Sequence, residues 1–256
     1  MTLGGLVVLV TGGSSGIGRA IAVACARAGA DVALTYAHHA QGARETASEV
    51  TAAGRRASVF RLDLASHEGL EEALATLARD AGASLGRIDA WINNAGADIL
   101  TGEGAHLPAA RKLDLLLSVD LRGTILASWA AVEHMRAHAR GGVVINMSWD
   151  HAVTGMAGRN PQMFAAAKGG VLAFSKSLAR SVAPLVRVNI LAPGWIETAF
   201  GDGLDAERRR EVAQSTPLER WGTPADVAAA AVYLASPAAA FLTGQTIFVN
   251  GGVVMG

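Results

Sequence analysis

Residues 6–18 read LVVLVTGGSSGIG, an apolar run that leads directly into a glycine-rich turn. Apolar residues without alternation are typical of a strand that is buried on both faces of a parallel sheet. Beyond the turn, Ile17, Ile21 and Ala24 recur with the helical period. Gly29 then follows as a stop signal. This stretch therefore predicts a strand, a glycine loop and a helix, which together form the opening unit of a doubly wound α/β fold.

The same alternation of strand and helix continues along the chain. Further β-rich runs lie at residues 32–36, 58–62, 88–92, 143–147, 186–191 and 246–249, with helical periodicity between them. The pattern predicts a single Rossmann-like α/β domain over residues 1–256, with a seven-stranded parallel sheet and about six helices. The less periodic segment 194–225 is predicted to be a lid, because loops at the carboxyl ends of such strands form the ligand crevice.

The composition excludes several classes of partner. Lys plus Arg and Asp plus Glu both number 22, so the formal net charge is zero, which argues against nucleic acid and anionic membranes. The single cysteine, Cys25, excludes an intramolecular disulfide framework. We find no basic leader, and no apolar stretch that approaches the ~20 residues of a membrane span. We therefore expect a cytoplasmic protein that acts on a small molecule.

The glycine loop itself has the chemistry of an anion site. Glycines let the backbone turn tightly and approach a diphosphate closely, and the N–H groups at the start of the following helix favour negative charge. The spacing in residues 11–18 differs from the common G-x-G-x-x-G form. Its position between a strand and a helix nevertheless predicts nucleotide binding.

Several segments resemble the short-chain dehydrogenase/reductase family. Residues 11–18 are similar to its T-G-x-x-x-G-x-G fingerprint, residues 93–96 to its N-N-A-G segment, residues 193–198 to its P-G-x-I-x-T stretch, and residues 243–252 to its C-terminal end. The likeness spans residues 1–252, and the body of the chain resembles bacterial 3-oxoacyl reductase-like members. It implies a nicotinamide dinucleotide held by Thr11, Gly12, Ser14, Ser15, Gly16, Ile17, Gly18, Asp63, Leu64, Asn93, Ala95, Gly96, Lys168, Pro193, Gly194, Ile196 and Thr198.

The end of the second strand bears on which dinucleotide binds. An acid there would bond the ribose 2′-hydroxyl of NAD, but the position is Tyr36 and no acid stands between Val32 and Gln41. Arg19, beside the glycine loop, could meet a 2′-phosphate. His38 and His39 could add donors, or could simply face solvent. We therefore favour NADP(H), with NAD(H) as the alternative.

One catalytic group of the family pattern of Asn, Ser, Tyr and Lys is present and one is plainly missing. Lys168 matches the family lysine, which contacts the ribose hydroxyls and lowers the tyrosine pKa. The tyrosine position, one helical turn earlier, is Phe164. A phenol there would be the proton donor for a reduced carbonyl, and phenylalanine has nothing to donate.

The serine position leaves several proton donors open. Matching residues 146–148 to the family's strand end puts Trp149 in the place of the catalytic serine, with Ser148 beside it. Asp150 and His151 stand close to the usual separation from residue 164, and the pteridine reductase branch of the family uses an Asp nearby. Burial in an apolar pocket could raise the pKa of Asp150 enough for general-acid work. The alternative is that Asp150 caps local backbone.

The asparagine position reads Asp120. This carboxylate could carry a proton toward Lys168 or pair with that cation. His134 and His138 are spaced for one helix face, but the sequence shows no third ligand, so we predict no metal site.

Two functions fit these observations. The first is an NADP(H)-dependent oxidoreductase that reduces a carbonyl, imine or pterin-like substrate with a non-standard proton donor. The second is a catalytically weak or inactive dinucleotide-binding protein that acts as a scaffold or sensor. The resemblance further implies a homotetramer or homodimer, formed through the helices near 109–139 and 160–182 and the last strand.

Overall fold

The computed structural model describes residues 2–138 and 141–255. Within these residues one parallel sheet of seven strands has the order β3-β2-β1-β4-β5-β6-β7, which confirms the predicted fold class. The strands are β1 Val7–Val10, β2 Asp31–Tyr36, β3 Ala57–Arg61, β4 Ala90–Asn93, β5 Gly142–Met147, β6 Val186–Pro193 and β7 Thr246–Val249. Each predicted run falls on one of these strands, with ends that differ by at most two residues.

Helices connect the strands and cover both faces of the sheet. They are α1 Gly16–Arg27, α2 Ala40–Ala52, α3 Leu70–Leu85, α4 Gly102–Ala105, α5 Ala109–Leu116, α6 Thr124–Ala137, α7 His151–Thr154, α8 Arg159–Val182, α9 Ala199–Asp202, α10 Ala206–Ser215 and α11 Pro224–Ala235. A π-helical turn, Leu117–Gly123, joins α5 to α6. The sequence predicted about six helices, because four-residue helices such as α4, α7 and α9 are too short to show a period.

Strand β1 shows why the apolar run is continuous. Val8 and Val10 pack into a core cluster on the side of α1 and α11, whereas Val7 and Leu9 pack into a second cluster on the side of α3, α6 and α8. Successive side chains of a strand point to opposite faces, and here both faces are core. Full burial of an aliphatic side chain contributes about 1.5–3 kcal/mol, so the two clusters hold the central strands in place.

The helical run from α5 to α6 corrects the expectation that no apolar stretch approaches the length of a membrane span. Residues 109–137 are long and apolar enough to match a membrane span by composition alone, whereas the sequence reading found no such stretch. More than half of the most apolar window is buried inside the fold. The run packs against α3 and α8, so its apolar side chains belong to the core of the domain.

The strand order places a crevice at the carboxyl edge of the sheet. Order reverses between β1 and β4, and loops that leave neighbouring strands there diverge to opposite faces. The glycine loop follows β1, residues 94–98 follow β4, residues 148–150 follow β5, and the segment 194–225 follows β6. These four segments position the candidate site.

Candidate active site

A cleft of about 1280 Å³ lies at this edge. It exceeds the roughly 300–1,000 Å³ of ordinary small-molecule pockets, so a dinucleotide and a second molecule can share it. Its walls come from the glycine loop, residues 37–39, 62–65, 94–98, 147–149 and 160–168, and the segment after β6. The segment 194–225 contributes Trp195, Ile196, Thr198, Leu204, Arg208 and Val212 to one side of the cleft, the position expected of a lid.

The glycine loop forms a cradle that fits a diphosphate. Gly16 begins α1 with a φ of 52°, a left-handed conformation that favours glycine. A Cβ added there would meet only the Thr198 methyl at 3.9 Å, so the space above this backbone is open to the cleft. Neither a side-chain cap nor an acidic residue occupies the first turn of α1 in the described structure. The N–H groups of that turn are therefore available to a bound anion.

Thr11 and Asn94 hold the cradle in shape from behind. The Thr11 hydroxyl accepts hydrogen bonds from the backbone N–H groups of Asn94 and Ala95, both at 3.1 Å. The Asn94 amide donates to the carbonyl oxygens of Thr11 and Gly12 at 3.1 and 3.2 Å. A Cβ on Gly18 would lie 2.1 Å from the Gly12 oxygen, so only glycine allows this close packing.

Asn93, predicted to bind the cofactor, lies outside the cleft. Its buried amide donates to Asn146 at 2.8 Å and to Ser128 at 3.0 Å, and it accepts from the Trp91 indole at 2.9 Å. Consecutive side chains at a strand end point in opposite directions, so Asn94 reaches the cleft and Asn93 does not. Asn94 was not predicted as a cofactor residue, because the order of residues does not show which of two neighbouring asparagines faces the cleft.

At the adenosine end, Arg19 is not among the described residues that line the cleft. Its guanidinium bonds Glu45 and Glu49 on α2, which would compete with a 2′-phosphate for it. His38 and His39 line the cleft together with Asp63 and Leu64. The Tyr36 side chain lies at the end of β2 and is not among the described residues that line the cleft.

A buried ion pair joins two of the predicted catalytic residues. Lys168 Nζ lies 2.9 Å from Asp120 Oδ2, and both side chains are almost fully buried at the edge of the cleft. The other Asp120 oxygen accepts the Ala97 N–H at 2.8 Å, and Lys168 also donates to the Met147 carbonyl at 3.3 Å. Because each charge has its partner and further hydrogen bonds, the pair can persist away from water. Of the two roles left open for Asp120, the structure shows the pairing.

Aromatic rings line the cleft at the two positions that the sequence resemblance assigns to hydroxyl-bearing residues. Phe164, one turn before Lys168 on α8, lines the cleft beside Trp149, with ring centroids 6.1 Å apart. Ser148 also reaches the cleft, but its hydroxyl donates to the Lys168 backbone carbonyl at 2.9 Å. The hydroxyl proton that could serve a substrate is therefore engaged elsewhere.

Unlike Phe164 and Lys168, Asp150 and His151 are not among the described residues that line the cleft. The Asp150 carboxylate is fully buried. It caps α7 by accepting the His151 N–H at 2.7 Å, lies 2.8 Å from His151 Nδ1, and accepts from the Asn250 amide at 3.2 Å. This arrangement matches the backbone-capping alternative, because the carboxylate accepts the backbone N–H at the start of α7. The His151 ring packs against Trp149, with centroids 5.1 Å apart.

Known proteins match this chain over nearly its whole length. A family model described as Enoyl-(Acyl carrier protein) reductase matches residues 12–254. The chain belongs to the short-chain dehydrogenase/reductase family. It is 40% identical to an uncharacterized oxidoreductase of Mycobacterium tuberculosis over 96% of this chain and 91% of that protein. It is 36% identical to the 3-oxoacyl-[acyl-carrier-protein] reductase of a Synechocystis species over 97% of both chains.

A solved structure shows the same fold for this family. The short-chain dehydrogenase/reductase from Serratia marcescens is 32% identical, superimposes with a TM-score of 0.87, and is covered over 100% of both chains. The chain is thus an oxidoreductase of the short-chain family. Its relatives include reductases and dehydrogenases such as 3beta-hydroxysteroid dehydrogenase 1 of Eggerthella lenta.

Against this family background, two tryptophans are the site residues that sequence reasoning undervalued. Trp149 and Trp195 both line the cleft, and Trp195 packs on Trp221 with centroids 5.7 Å apart. Their signal was available, since Trp149 falls at the position matched to the family's serine and Trp195 lies inside the matched segment 193–198. The other predicted residues of the cofactor set line the cleft, with the exceptions of Thr11, Arg19, Tyr36 and Asn93 noted above.

The two histidines of α6 lie apart from the cleft. Their rings stack with centroids 4.4 Å apart, and His138 Nδ1 meets the His134 carbonyl at 2.8 Å. Burial, and then the charge of His138, lowers the pKa of His134. In residues 2–138 and 141–255 no group of three or more potential ligands is close enough to hold a metal ion.

Proposed function

We propose that this chain is an NADP(H)-dependent reductase of a carbonyl, imine or pterin-like substrate, without the phenolic proton donor of its family. The observation that carries the proposal is that the diphosphate cradle at Gly16 and the Lys168–Asp120 pair open onto one cleft. The cradle supports dinucleotide binding through backbone N–H groups. The cleft continues past Lys168 to Phe164, which leaves room for a substrate.

The residues of the cleft have distinct tasks in this proposal. A bound nicotinamide would supply a hydride. Lys168 would hold the ribose hydroxyls, and Ile196 and Thr198 would orient the carboxamide, as in the family. Trp149 and Phe164 would exclude water from the reacting end, which strengthens the electrostatic interactions inside it. Any proton that the product needs would come from a water molecule or from the substrate, because Asp150 and His151 are bonded to each other and are not among the described residues that line the cleft.

The preference for NADP(H) rests on the adenosine end of the cleft. His38 and His39 line it, and no carboxylate follows β2 to bond a ribose 2′-hydroxyl. Histidine N–H groups can donate to a 2′-phosphate. NAD(H) remains the alternative cofactor.

The test of cofactor binding is calorimetric titration of the protein with NADPH and NADH. Gly16→Ala places a methyl group in the open space of the cradle, and we expect it to weaken NADPH binding at least tenfold. Gly54→Ala is the matched control, because Gly54 also has a positive φ of 76° and an open surrounding, but lies outside the cleft. If wild-type protein binds neither dinucleotide, the proposal is wrong.

A weak or inactive dinucleotide-binding protein is the second candidate function. It is favoured by Trp149 and Phe164, which stand where the family has its serine and tyrosine. Single-turnover oxidation of bound NADPH by a panel of carbonyl and imine compounds separates the two candidates: binding with no turnover of any compound would favour a scaffold or sensor.

We also propose that the chain is cytoplasmic and forms a homotetramer or homodimer. The support is an exposed aromatic pair on the outer side of the helices: Trp129 on α6 is half exposed and packs edge-on against Phe174 on α8. Exposed apolar rings of this kind are typical of interfaces between subunits. Light scattering of the purified protein measures the assembly.

A further inference from the structure

We propose that the group reduced in this cleft is a carbon–nitrogen double bond that already carries a positive charge, an iminium ion. The inference rests on the proposed reductase function and narrows its substrate to one class. Three features of the cleft carry it: a wall of aromatic rings, a neutralised lysine and an acidic rim.

The aromatic wall is formed by Trp149 after β5, Phe164 on α8 and Trp195 after β6. All three side chains are partly exposed, and all three line the cleft. The face of an aromatic ring attracts a cation, most strongly for tryptophan and in a site shielded from water. The ring faces of such a wall stabilise a delocalised organic cation, and the wall brings no positive charge to an oxyanion.

Carbonyl and iminium substrates differ in the charge that develops when they accept a hydride. When a carbonyl accepts a hydride, negative charge grows on oxygen and must be met by a proton or by hydrogen-bond donors. When an iminium carbon accepts a hydride, a C–H bond forms and the carbon–nitrogen π pair becomes the nitrogen lone pair. Reduced nicotinamide is oxidised by two electrons, the positive charge on nitrogen disappears, and no proton is transferred. Phe164 in place of a phenol favours the second reaction, because only the first needs a proton or hydrogen-bond donors at the developing charge.

The lysine of this site contributes no net positive charge. Lys168 is paired with Asp120 at 2.9 Å, and both lie in the wall of the cleft. An unpaired lysine would repel a cation and stabilise an alkoxide. The buried pair neither repels a cation nor stabilises an alkoxide at long range, because its opposite charges cancel within a few ångströms.

The rim of the cleft adds negative charge. Asp98 and Glu103 both line it and are exposed. Partial burial opposes ionisation of Asp98, but hydrogen bonds from Thr101 and from the Leu100 N–H lower its pKa, so it is a carboxylate at neutral pH. On the lid side, the cation Arg208 is paired with Glu211 at 2.8 Å. Beside the reacting end, the unpaired charges of the described residues are therefore acidic and favour entry of a cation.

The first experiment compares two bicyclic compounds of similar size in the NADPH-loaded protein. N-methyl dihydroisoquinolinium is a permanent iminium cation, and tetralone is a neutral ketone. We expect single-turnover oxidation of NADPH to be at least ~100-fold faster with the cation, which is the low end of what a missing general acid costs the ketone. Equal or faster reduction of the ketone overturns the inference. Failure to bind NADPH, measured beforehand by calorimetry, instead overturns the proposed function.

The second experiment measures binding without reaction. The saturated cation N,N-dimethyl tetrahydroisoquinolinium is titrated into the NADPH-loaded protein, with neutral dimethyl tetralin as its uncharged counterpart. We expect Trp149→Leu and Phe164→Leu each to weaken cation binding, by up to about tenfold, and to leave the neutral compound almost unaffected. Phe241→Leu is the control, because Phe241 is fully exposed and outside the cleft.

The two ring variants also guard against misfolding, since one of them suffices if the other is unstable. Glu103→Gln, an exposed substitution, should weaken binding of the cation by a smaller factor of about two. If the cation binds no more tightly than the neutral compound in wild-type protein, or if the ring variants weaken both equally, the inference is wrong.

Discussion

The cofactor half and the reacting half of the cleft are built from different kinds of chemical groups. The cofactor half keeps the family's pattern, with the glycine loop before α1, Asp63 after β3 and the stretch 193–198 after β6 all on the cleft wall. The reacting half is predicted to depart from it, with Trp149, Phe164 and Asp120 at the positions that the sequence resemblance assigns to serine, tyrosine and asparagine. The cradle is made largely of backbone and of glycines that are required by a positive φ at Gly16 or by close packing at Gly18, whereas the reacting end is made of exchangeable side chains. Binding and chemistry can therefore diverge on one scaffold.

The largest expected effect comes from returning the phenol to the reacting half. Phe164→Tyr should raise reduction of a neutral ketone by about 10²-fold, and the double variant Trp149→Ser, Phe164→Tyr by up to about 10⁴-fold, because a positioned general acid accelerates by these factors. Iminium reduction should not rise. The measurement is single-turnover oxidation of NADPH with each substrate.

Phe174→Tyr is the matched control for this change. Phe174 lies on the same helix α8 but packs against Trp129, outside the cleft. If ketone reduction stays at the wild-type level in Phe164→Tyr while NADPH still binds, the contrast between the two halves does not lie at residue 164.

The next effect concerns the ion pair at the boundary of the two halves. Lys168→Ala leaves the Asp120 carboxylate buried without its cation, and we expect the free energy of unfolding to fall by about 3–5 kcal/mol. The double variant Lys168→Met, Asp120→Asn removes both charges and keeps an acceptor for the Ala97 N–H. This double variant should lose clearly less free energy of unfolding than Lys168→Ala. Urea denaturation at neutral pH measures both.

An equal loss in the single and double variants would show that the two charges are not coupled, against the geometry at 2.9 Å. Both variants should also weaken dinucleotide binding if Lys168 holds the ribose, which calorimetry reports separately from stability.

The smallest expected effect tests the cofactor half at its adenosine end. His38→Ala and His39→Ala should each lower the affinity for NADPH relative to NADH by up to about tenfold, the usual value of a charge-assisted hydrogen bond. Arg19→Ala should leave that ratio unchanged, because Arg19 is held by Glu45 and Glu49. Calorimetric titration with both dinucleotides gives the ratio. A ratio that depends on Arg19 and not on the histidines would reverse this assignment.

The elements of the fold were predictable because each rests on local, repeated chemistry. Runs such as residues 6–10 are apolar throughout because both faces of the sheet are core, and that signal does not depend on distant parts of the chain. The same holds for the glycine loop, whose conformation requires glycine at 16 and 18. The spacing of Phe164 and Lys168 on one helix likewise placed both in the cleft.

The doubly wound fold, the diphosphate cradle and the missing phenol at residue 164 were all predictable from the order of the amino acids. The direction and the partner of individual side chains were not, and became visible only in the folded chain. Asn94 rather than Asn93 faces the cleft, Arg19 is bound by acids from α2, and Asp150 points into a buried network with Asn250. The physical reason is that orientation at a strand end changes with a single residue, and ion pairs form between groups far apart in the chain. Neither leaves a periodic trace in the sequence.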